Sequence, residues 1–403
     1  MTSIPRIAFL CDRLGPYHVA RLNAASRHAK VIAIEFSAFD QTYAWGLIDT
    51  PCAFQRVTLF NDAPINLQPI NAVVKRVIHV LEENKPQVVA IPGWDAPASL
   101  IALWWCLHND TPSILMSDSQ KHDEIRVWWK ESIKTQIVKL HSSGYVAGSR
   151  HLHYLKCLGM PEMSMITGID VVDNAFFSER SHDSRQNDAV VRKRLGLPEK
   201  YFLASSRFVQ KKNLFLLLEA YSKYSNMRVK EPWKLVLLGD GPLNMQIISY
   251  LNQVGIRVNV ILPGFRQYDE LPEYYGLAGA FIHASTSEQW GLVVNEAMAC
   301  GLPVIVSTPC GCSPELVQSG CNGYTFDPYN SDQLADLMAH VASDACNRAE
   351  MGQASREIIG RWTLSTFASN LVKAANLAFE SHSRGFSYFN RLLLWVLIHR
   401  KRS

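Results

Sequence analysis

Short apolar stretches alternate with amphipathic stretches along the first 160 residues of the chain. Residues 7–11 and 31–36 are nearly all apolar, as expected of strands buried on both faces of a sheet. Apolar positions at helical spacing predict helices over 18–28 and 69–84. The alternation continues through segments predicted as strand or helix at 88–91, 98–108, 114–116, 125–140, 145–147 and 149–158. Strands that alternate with helices predict a parallel, doubly wound α/β sheet.

The segment 178–194 interrupts this pattern, because it is polar and rich in charged residues and Ser. After it the alternation starts again, with strands predicted at 201–205, 233–238, 258–262, 280–283 and 304–306 and helices at 213–225, 271–277 and 292–300. We therefore predict two Rossmann-like domains, 1–178 and 195–375, joined by a linker and followed by a tail at 376–403. Ligands of such sheets bind at the carboxyl ends of the strands, which predicts a site in the cleft between the domains.

Composition narrows the class of protein only slightly. The chain has 403 residues, of which 48% are hydrophobic and 19% charged, and this suits two globular domains. A net charge of +4 is too small to indicate nucleic-acid binding. The nine Cys form no Cys-x2-Cys pair, and no signal peptide or run of roughly 18 apolar residues is visible. We expect a cytoplasmic protein with reduced thiols.

Residues 284–306 combine two carboxylates with a turn and a helix. Glu288 comes shortly before Gly291, and the apolar stretch 292–300, which contains Glu296, predicts a helix. A loop that runs into a helix N-terminus presents free backbone N–H groups and the positive end of a dipole, both of which favour phosphate. Carboxylates accept hydrogen bonds from sugar hydroxyls. The segment therefore predicts a site for a sugar joined to a diphosphate.

The same segment resembles the signature of retaining GT-B glycosyltransferases of the family 4 type, the glycosyl transferases group 1. Glu288 and Glu296 match the Glu-x7-Glu motif of this family, and Gly291 follows the first Glu as it does there. The resemblance implies two Rossmann-like domains that face each other across a deep cleft. It also implies that Glu288 and the N–H groups near Gly291 and Leu292 face the donor sugar and phosphates, and that Glu296 holds the ribose hydroxyls.

Two cations follow the first predicted strand of the second domain. Arg207 and Lys212 have the spacing of the Arg and Lys of the family, with Ser206 in place of the usual Gly. By resemblance they clamp the donor diphosphate, and fixed positive charge there would stabilise the charge that builds on the leaving nucleotide. Gly264 and Arg266 follow the strand after which the family binds the nucleotide base, so we assign both to the base.

The N-terminal half offers candidates for contacts with the acceptor or the donor. Gly15 lies in the loop after the first strand, where the family often has a Gly-rich loop, and His18 follows it. Asp118 occupies the place where many family members carry a functional His, and His122 lies in the same loop. The sequence leaves Asp118, His122 and His18 open as alternatives, together with a plain Asx turn for Asp118 and a helix cap for His18.

The resemblance implies transfer of a sugar from a nucleotide diphosphate sugar to a hydroxyl of a glycan or glycolipid, with retention of configuration. Surface polysaccharide or lipopolysaccharide synthesis is the expected setting. No Asp-x-Asp stands at a predicted strand end, so we expect no metal, and no cofactor besides the donor substrate. A sugar-nucleotide epimerase of the same fold and an inactive module that binds a glycan or a partner are the alternatives. An oxidoreductase is disfavoured, since no Gly-x-Gly-x-x-Gly follows a strand.

Two segments combine aromatic and basic residues in the manner of helices that lie on membrane surfaces. The predicted helix 124–140 carries Trp128 and Trp129 among basic residues. The tail has aromatic residues at 386–389, an apolar stretch at 392–398 and basic residues at 399–402. We expect the tail to return to the first domain or to touch the inner face of a membrane. Packing within the protein is the alternative for both segments, and no nucleic-acid partner is expected.

Overall fold

Two compact units, each built around one parallel sheet, make up the chain. The computed structural model describes residues 5–38, 46, 51–227, 231–381 and 387–400. Unit 1 comprises Met1–Val171 and Leu364–Ser403, and unit 2 comprises Val172–Thr363. The α/β class with two Rossmann-like domains, predicted from the alternation of strands and helices, is confirmed.

Unit 1 contains a seven-stranded sheet with helices. Its strands are β1 (Arg6–Cys11), β2 (Lys30–Ser37), β3 (Gln55–Phe60), β4 (Val88–Pro92), β5 (Ser113–Ser117), β6 (Ser143–Val146) and β7 (Met165–Thr167). They pair in parallel in the order β3-β2-β1-β4-β5-β6-β7. Its first five helices are α1 (Pro16–Ala25), α2 (Ile70–Asn84), α3 (Pro97–His108), α4 (Trp128–Val138) and α5 (Ser149–Cys157). The central strands are buried, which explains their unbroken apolar sequences.

The two edge strands β3 and β7 were not predicted from the sequence. Strand β3 begins with the exposed polar residues Gln55 and Arg56, and β7 has only three residues. An edge strand has one neighbour instead of two, so it needs less apolar sequence than a central strand does. Both strands therefore lack the apolar run by which the others were found.

Unit 2 contains a six-stranded parallel sheet. Its strands are β8 (Tyr201–Ser205), β9 (Lys234–Leu238), β10 (Val260–Gly264), β11 (Ala280–His283), β12 (Val304–Ser307) and β13 (Gly323–Phe326), in the order β10-β9-β8-β11-β12-β13. Its helices are α6 (Asn174–Gln186), α7 (Asp188–Leu195), α8 (Leu214–Asn226), α9 (Asn244–Gln253), α10 (Leu271–Gly276), α11 (Leu292–Ala299), α12 (Ser313–Leu316), α13 (Ser331–Ala342) and α14 (Arg348–Ile359).

The predicted linker 178–194 is wrong, since these residues lie in helices α6 and α7. The side chain of Asp173 caps α6 by accepting a hydrogen bond from the Phe176 N–H at 3.1 Å. Phe177 is fully buried, and its ring meets that of Tyr275 edge to face at 6.1 Å. Phe177 anchors a helix that is otherwise polar. Because so few of its residues are apolar, the segment lacks the hydrophobic periodicity that would predict a helix.

The predicted end of the second domain at residue 375 also differs from the structure. Helix α15 (Leu364–Glu380) packs against strands of unit 1, and unit 2 ends at Thr363. The Tyr145 hydroxyl donates to the Phe367 carbonyl at 3.1 Å, and the Ser143 hydroxyl donates to the Ala374 carbonyl at 2.8 Å. The return to the first domain, which we expected of the tail, therefore begins with α15.

The final helix α16 (Tyr388–His399) also belongs to unit 1. It packs on α3 and buries Leu394, Leu397 and Ile398 in the core of that unit. The tail residues Phe386, Lys401 and Arg402, which contributed to the expected membrane contact, lie outside the described residues. Within the described ranges, none of the helices has the length and apolar character needed to cross a bilayer.

We predict that Phe367→Ala destabilises unit 1 by about 3–5 kcal/mol, because it empties a buried aromatic site on α15. The Phe367 ring has 0% exposure and lies 5.6 Å from the Tyr145 ring. Urea unfolding measures the loss. Phe379→Ala, on the same helix at 42% exposure, is the matched control and should change stability by about 0.5 kcal/mol or less. Equal effects of the two changes would contradict the packing of α15 described above.

Candidate active site

Three loops meet at the carboxyl edge of the unit 2 sheet. They follow β8, β11 and β12 and comprise residues 206–213, 284–291 and 308–312. Strand β11 lies between β8 and β12, so the parallel order brings the three loops side by side. The residues that the sequence predicted to bind a diphosphate lie in the first two loops.

Backbone hydrogen bonds hold the central loop on both sides. The Thr286 N–H donates to the Lys211 carbonyl at 2.9 Å, which joins the loop to its neighbour after β8. The Gly311 N–H donates to the Glu288 carbonyl at 2.9 Å, which joins it to the loop after β12. Glu288 is therefore presented by a loop that is fixed to both of its neighbours.

The Gly239-Asp240-Gly241 turn after β9 supports the loop after β8. The Phe208 N–H donates to the Asp240 carbonyl at 2.8 Å. A Cβ on Gly239 would lie 1.8 Å from the Ser206 carbonyl oxygen, and Gly239 has a φ of +125°. Close backbone approach is by itself sufficient reason for glycine at residue 239.

Glu288 is a nearly buried carboxylate on which several hydrogen-bond donors converge. Its side chain is 12% exposed, and its Oε2 atom forms an ion pair with Lys212 Nζ, whose side chain is 14% exposed. The Oε2 atom also lies 3.0 Å from His283 Nε2 and 3.2 Å from Ser285 Oγ. Lys212 and Glu288, both predicted as site residues, are thus brought into contact.

The surroundings keep Glu288 ionised. Burial raises the pKa of the Glu288 carboxyl, but the His283 hydrogen bond and the Lys212 charge outweigh it, so the pKa lies well below its usual value. Burial lowers the pKa of His283, so its ring is neutral at neutral pH. We assign the Nε2–H tautomer to this ring, since only that tautomer donates to the ionised carboxylate.

The N-terminus of α11 lies beside Glu288. Gly291 caps the helix with a φ of +104°, a left-handed conformation that favours glycine. A Cβ at this position would lie 3.4 Å from Glu288 Cγ and 3.7 Å from both His283 Nε2 and Cys312 Sγ. The N–H groups of Leu292 and Val293 have no partner within the helix itself, whereas the Val294 N–H donates to the Gly291 carbonyl at 2.9 Å. The structure thus places Gly291 and Leu292, at a helix N-terminus that is suited to an anion, beside Glu288; anion binding there stays a prediction.

The second carboxylate of the motif has different surroundings. Glu296 lies one turn further along α11 and is 0% exposed. Its Oε2 atom accepts a hydrogen bond from the Tyr275 hydroxyl at 2.7 Å. A contact between Glu296 and a ribose stays a prediction, and it would require this part of α11 to become accessible.

The remaining predicted residues of unit 2 lie at the same edge of the sheet. Arg207 is exposed in the loop after β8. Gly264 ends β10 with a φ of +86°, and its carbonyl accepts from the Gly239 N–H at 3.0 Å. Arg266 donates to the Pro263 carbonyl at 2.9 Å and lies 3.3 Å from Glu270, so its guanidinium already has protein partners.

Sequence reasoning missed two residues of the Glu288 cluster, His283 and Ser285. Both stand where the predicted strand 280–283 gives way to its loop. Polar side chains at the carboxyl end of a parallel strand are the available signal, because that edge carries the ligand site of such sheets. Among the described residues, no three His, Cys, Asp or Glu side chains are grouped so as to hold a metal. Metal independence stays a prediction.

In unit 1 the structure favours the helix-cap interpretation of His18. The Gly15 N–H donates to His18 Nδ1 at 3.2 Å at the start of α1. Burial lowers the pKa of His18 to about 3, so the ring remains neutral and able to accept this bond. Gly15 and His18 therefore cap a helix, and a ligand contact at either residue stays a prediction.

The loop after β5 presents Asp118 and His122, and both side chains are exposed. Arg126 holds this loop by donating to the Gln120 and Lys121 carbonyls. Its guanidinium also lies 4.4 Å from the centre of the Tyr154 ring. The loop is thus fixed to its own unit, and the choice between Asp118 and His122 stays open.

Residues 187–358 match the family described as glycosyl transferases group 1. N-acetyl-alpha-D-glucosaminyl L-malate synthase from Bacillus anthracis is 29% identical over 46% of this chain and 47% of its own length. Alpha-monoglucosyldiacylglycerol synthase from Streptococcus pneumoniae is 35% identical over 32% of this chain and 29% of its own length. The matched segment thus spans about half the length of these relatives or less.

Among solved structures, HepE from Anabaena in complex with UDP aligns with 92% of this chain and 99% of its own, with a TM-score of 0.71 and 17% identity. At that identity the likeness shows the fold alone. The predicted GT-B fold is thereby confirmed.

We predict that Glu288→Gln flattens the dependence of stability on acid pH. A carboxyl whose pKa is lowered by folding stabilises the protein above its unfolded pKa of about 4.3, and this contribution is lost as the pH falls further. The free energy of unfolding of the wild type should therefore fall more steeply below about pH 4.3 than that of the variant. Urea unfolding at a series of pH values measures both slopes.

The control for this experiment is Glu162→Gln. Glu162 pairs with Lys156 at the surface, where both side chains are 58% exposed and the pair is screened by solvent. Its pH dependence should follow that of the wild type. Superimposable profiles for the wild type and Glu288→Gln would show that the Glu288 cluster does not hold the carboxyl ionised.

Proposed function

We propose that this protein transfers a sugar from a nucleotide diphosphate sugar to a hydroxyl group. The match of residues 187–358 to the glycosyl transferases group 1 family and the GT-B fold of the chain both support this proposal. The observation that carries the proposal is the Glu288 carboxylate, held by Lys212 and His283 beside the N-terminus of α11. A carboxylate beside an anion site suits a sugar joined to a phosphate.

In this proposal unit 2 binds the donor. The diphosphate meets the N–H groups that begin at Leu292, while Arg207 and Lys212 offset its charge. As the bond between the sugar C1 and the phosphate oxygen breaks, negative charge builds on the departing nucleotide, and these fixed groups stabilise it. Glu288 accepts hydrogen bonds from hydroxyls of the donor sugar and fixes its orientation.

The acceptor hydroxyl oxygen forms the new bond to C1. Its proton passes to the phosphate oxygen that leaves, so no separate protein base is required. We propose retention of configuration and no requirement for a metal ion. Retention rests on the family alone. The lack of a metal requirement rests on the family and on the two cations at the site, which supply positive charge that a metal would otherwise provide.

The relatives suggest the kinds of substrate. The solved structure of HepE is a complex with UDP, which supports a uridine nucleotide in the donor. The name of the Streptococcus pneumoniae relative, alpha-monoglucosyldiacylglycerol synthase, supports an acceptor that carries a lipid. We therefore propose a UDP-sugar donor and a glycolipid acceptor.

An exposed face of α16 supports a lipid-bound acceptor. On this helix Tyr388, Leu392 and Trp395 are 89%, 62% and 58% exposed, although its other face is buried in unit 1. Exposed Arg391 and His399 accompany these side chains. Aromatic and apolar side chains with neighbouring basic residues suit the surface of an anionic membrane.

Helix α4 extends the same kind of surface. Trp128 is 81% exposed, and Lys134 Nζ lies 5.7 Å from the centre of the Trp94 ring. The next residue, Asp95, forms an ion pair with Arg400 at the end of α16. The loop after β4 therefore adjoins both helices, and we propose that α4 and α16 together place unit 1 on the membrane.

We predict that the protein binds UDP and a UDP-sugar without added metal, and that Arg207→Ala weakens this binding about 10- to 100-fold. The factor is the loss of one hydrogen-bonded charge on phosphate, about 1.5–3 kcal/mol. Isothermal titration calorimetry in the presence of a chelator measures the dissociation constants. Lys212→Ala should weaken binding by a similar factor.

The matched control is Lys223→Ala, a basic residue on α8 that pairs with Asp332 at 2.7 Å. This change should leave donor affinity within about twofold of the wild type. Failure of the folded protein to bind any nucleotide sugar would overturn the proposal. Epimerised donor in the absence of an acceptor would favour the epimerase alternative.

We predict that Leu392→Glu and Trp395→Glu each reduce binding to phosphatidylglycerol vesicles about 10- to 100-fold, because each replaces an apolar contact worth about 1.5–3 kcal/mol with a charge. Vesicle flotation measures the bound fraction. Leu67→Glu is the matched control, since Leu67 is 66% exposed in the same unit but lies on neither helix. Equal binding by all four proteins would overturn the membrane surface.

A further inference from the structure

His283 contacts Glu288 but has no chemical role in the sugar transfer proposed above. It is the last residue of β11, with a side chain 3% exposed. Its Nε2 atom lies 3.0 Å from Glu288 Oε2 and 3.2 Å from Ser285 Oγ, and its ring stacks over Phe281 with an interplanar angle of 12°. A buried strand residue held in this way has little freedom to turn away from Glu288.

The donors to Glu288 Oε2 differ in what else they can reach. Lys212 has a long, flexible side chain and lies in the same loop as Arg207, which follows β8. Under the proposed function its ammonium group is shared with the donor diphosphate. His283 is fixed at the end of a strand and cannot move with Lys212. Its hydrogen bond to Glu288 therefore persists when Lys212 turns toward the phosphate.

We propose that His283 is a positioning residue, whose Nε2–H keeps the Glu288 carboxylate oriented toward the donor sugar while Lys212 is engaged by the diphosphate. This inference rests on the proposed function and concerns the same site. A neutral imidazole adds a donor without adding a second cation. Glu288 therefore keeps its negative charge, and with it its ability to accept a sugar hydroxyl.

The test compares His283→Leu with His283→Gln. Leucine fills a similar volume without a donor, while the glutamine amide can place an N–H near the position of Nε2. We expect His283→Leu to lower kcat for sugar transfer about 10- to 100-fold, the effect of losing one hydrogen bond to a charged group. The dissociation constant for UDP should remain within about threefold, because the phosphate contacts are untouched. His283→Gln should recover most of the lost kcat.

His340→Leu is the control for the change of residue type. His340 lies on α13, outside the three loops of the site, and bonds to the Tyr324 hydroxyl at 3.0 Å. Its kcat should equal that of the wild type. Thermal unfolding of all variants separates a loss of positioning from a loss of folding. If His283→Leu does not fold, two other measurements test the inference. They are the kcat of His283→Gln relative to the wild type and the tautomer of the native His283 ring.

A second measurement separates this inference from the proposed function. Nitrogen-15 NMR of the ligand-free wild type, labelled in histidine, reports which ring nitrogen of His283 carries the proton. We expect the Nε2–H tautomer at neutral pH, and the Nδ1–H tautomer would overturn the inference whether or not the protein is active. If the Nε2–H tautomer is found but the wild type neither binds nor uses any nucleotide sugar, the proposed function fails instead. Normal kcat in a folded His283→Leu protein would also overturn the inference.

Discussion

The organisation of the site depends on one buried negative charge. A carboxylate that is nearly removed from water, as Glu288 is, is tolerated only when charged or hydrogen-bonding partners replace the lost solvent. Lys212 supplies the charge, and His283 and Ser285 supply further donors. Because these partners come from different loops and from a strand end, the requirement of one carboxylate constrains a large part of the sheet edge.

The backbone explains how residues that are far apart in the sequence come together around Glu288. Strand β11 lies between β8 and β12, so its loop has a neighbour on each side to which it bonds. The left-handed backbone at Gly291 then turns the chain directly from this loop into α11. The position of the carboxylate beside the N-terminus of α11 is therefore a consequence of a single loop geometry.

Periodicity predicted the elements that are buried on both sides, and it failed where burial is partial. The central strands of both sheets were found because each is a nearly continuous apolar run. The edge strand β3 and the polar helix α6 were missed, because one contact face demands few apolar residues. Most residues of α15 were assigned to the second domain, because nothing local in the sequence indicates which sheet this segment covers. Phe367 fixes α15 to the sheet of unit 1 by packing against Phe9 and Tyr145, which are far from it in the sequence.

The family resemblance selected Glu288, Lys212 and Gly291, which the structure brings together, but it did not distinguish the environments of the two glutamates of the motif. Glu288 contacts Lys212 and the neutral ring of His283 beside the N-terminus of α11. Glu296, one turn further along the helix, is buried and bonded to Tyr275. The motif alone would place both side chains near one ligand, yet packing against α10 covers the second. The only sequence signal for His283 is a polar side chain at the carboxyl end of a strand, and its contact with Glu288 is seen only in the structure. A residue that acts by holding another becomes visible only when both are seen in place, so sequence motifs find the groups that meet a ligand more readily than the groups that orient them.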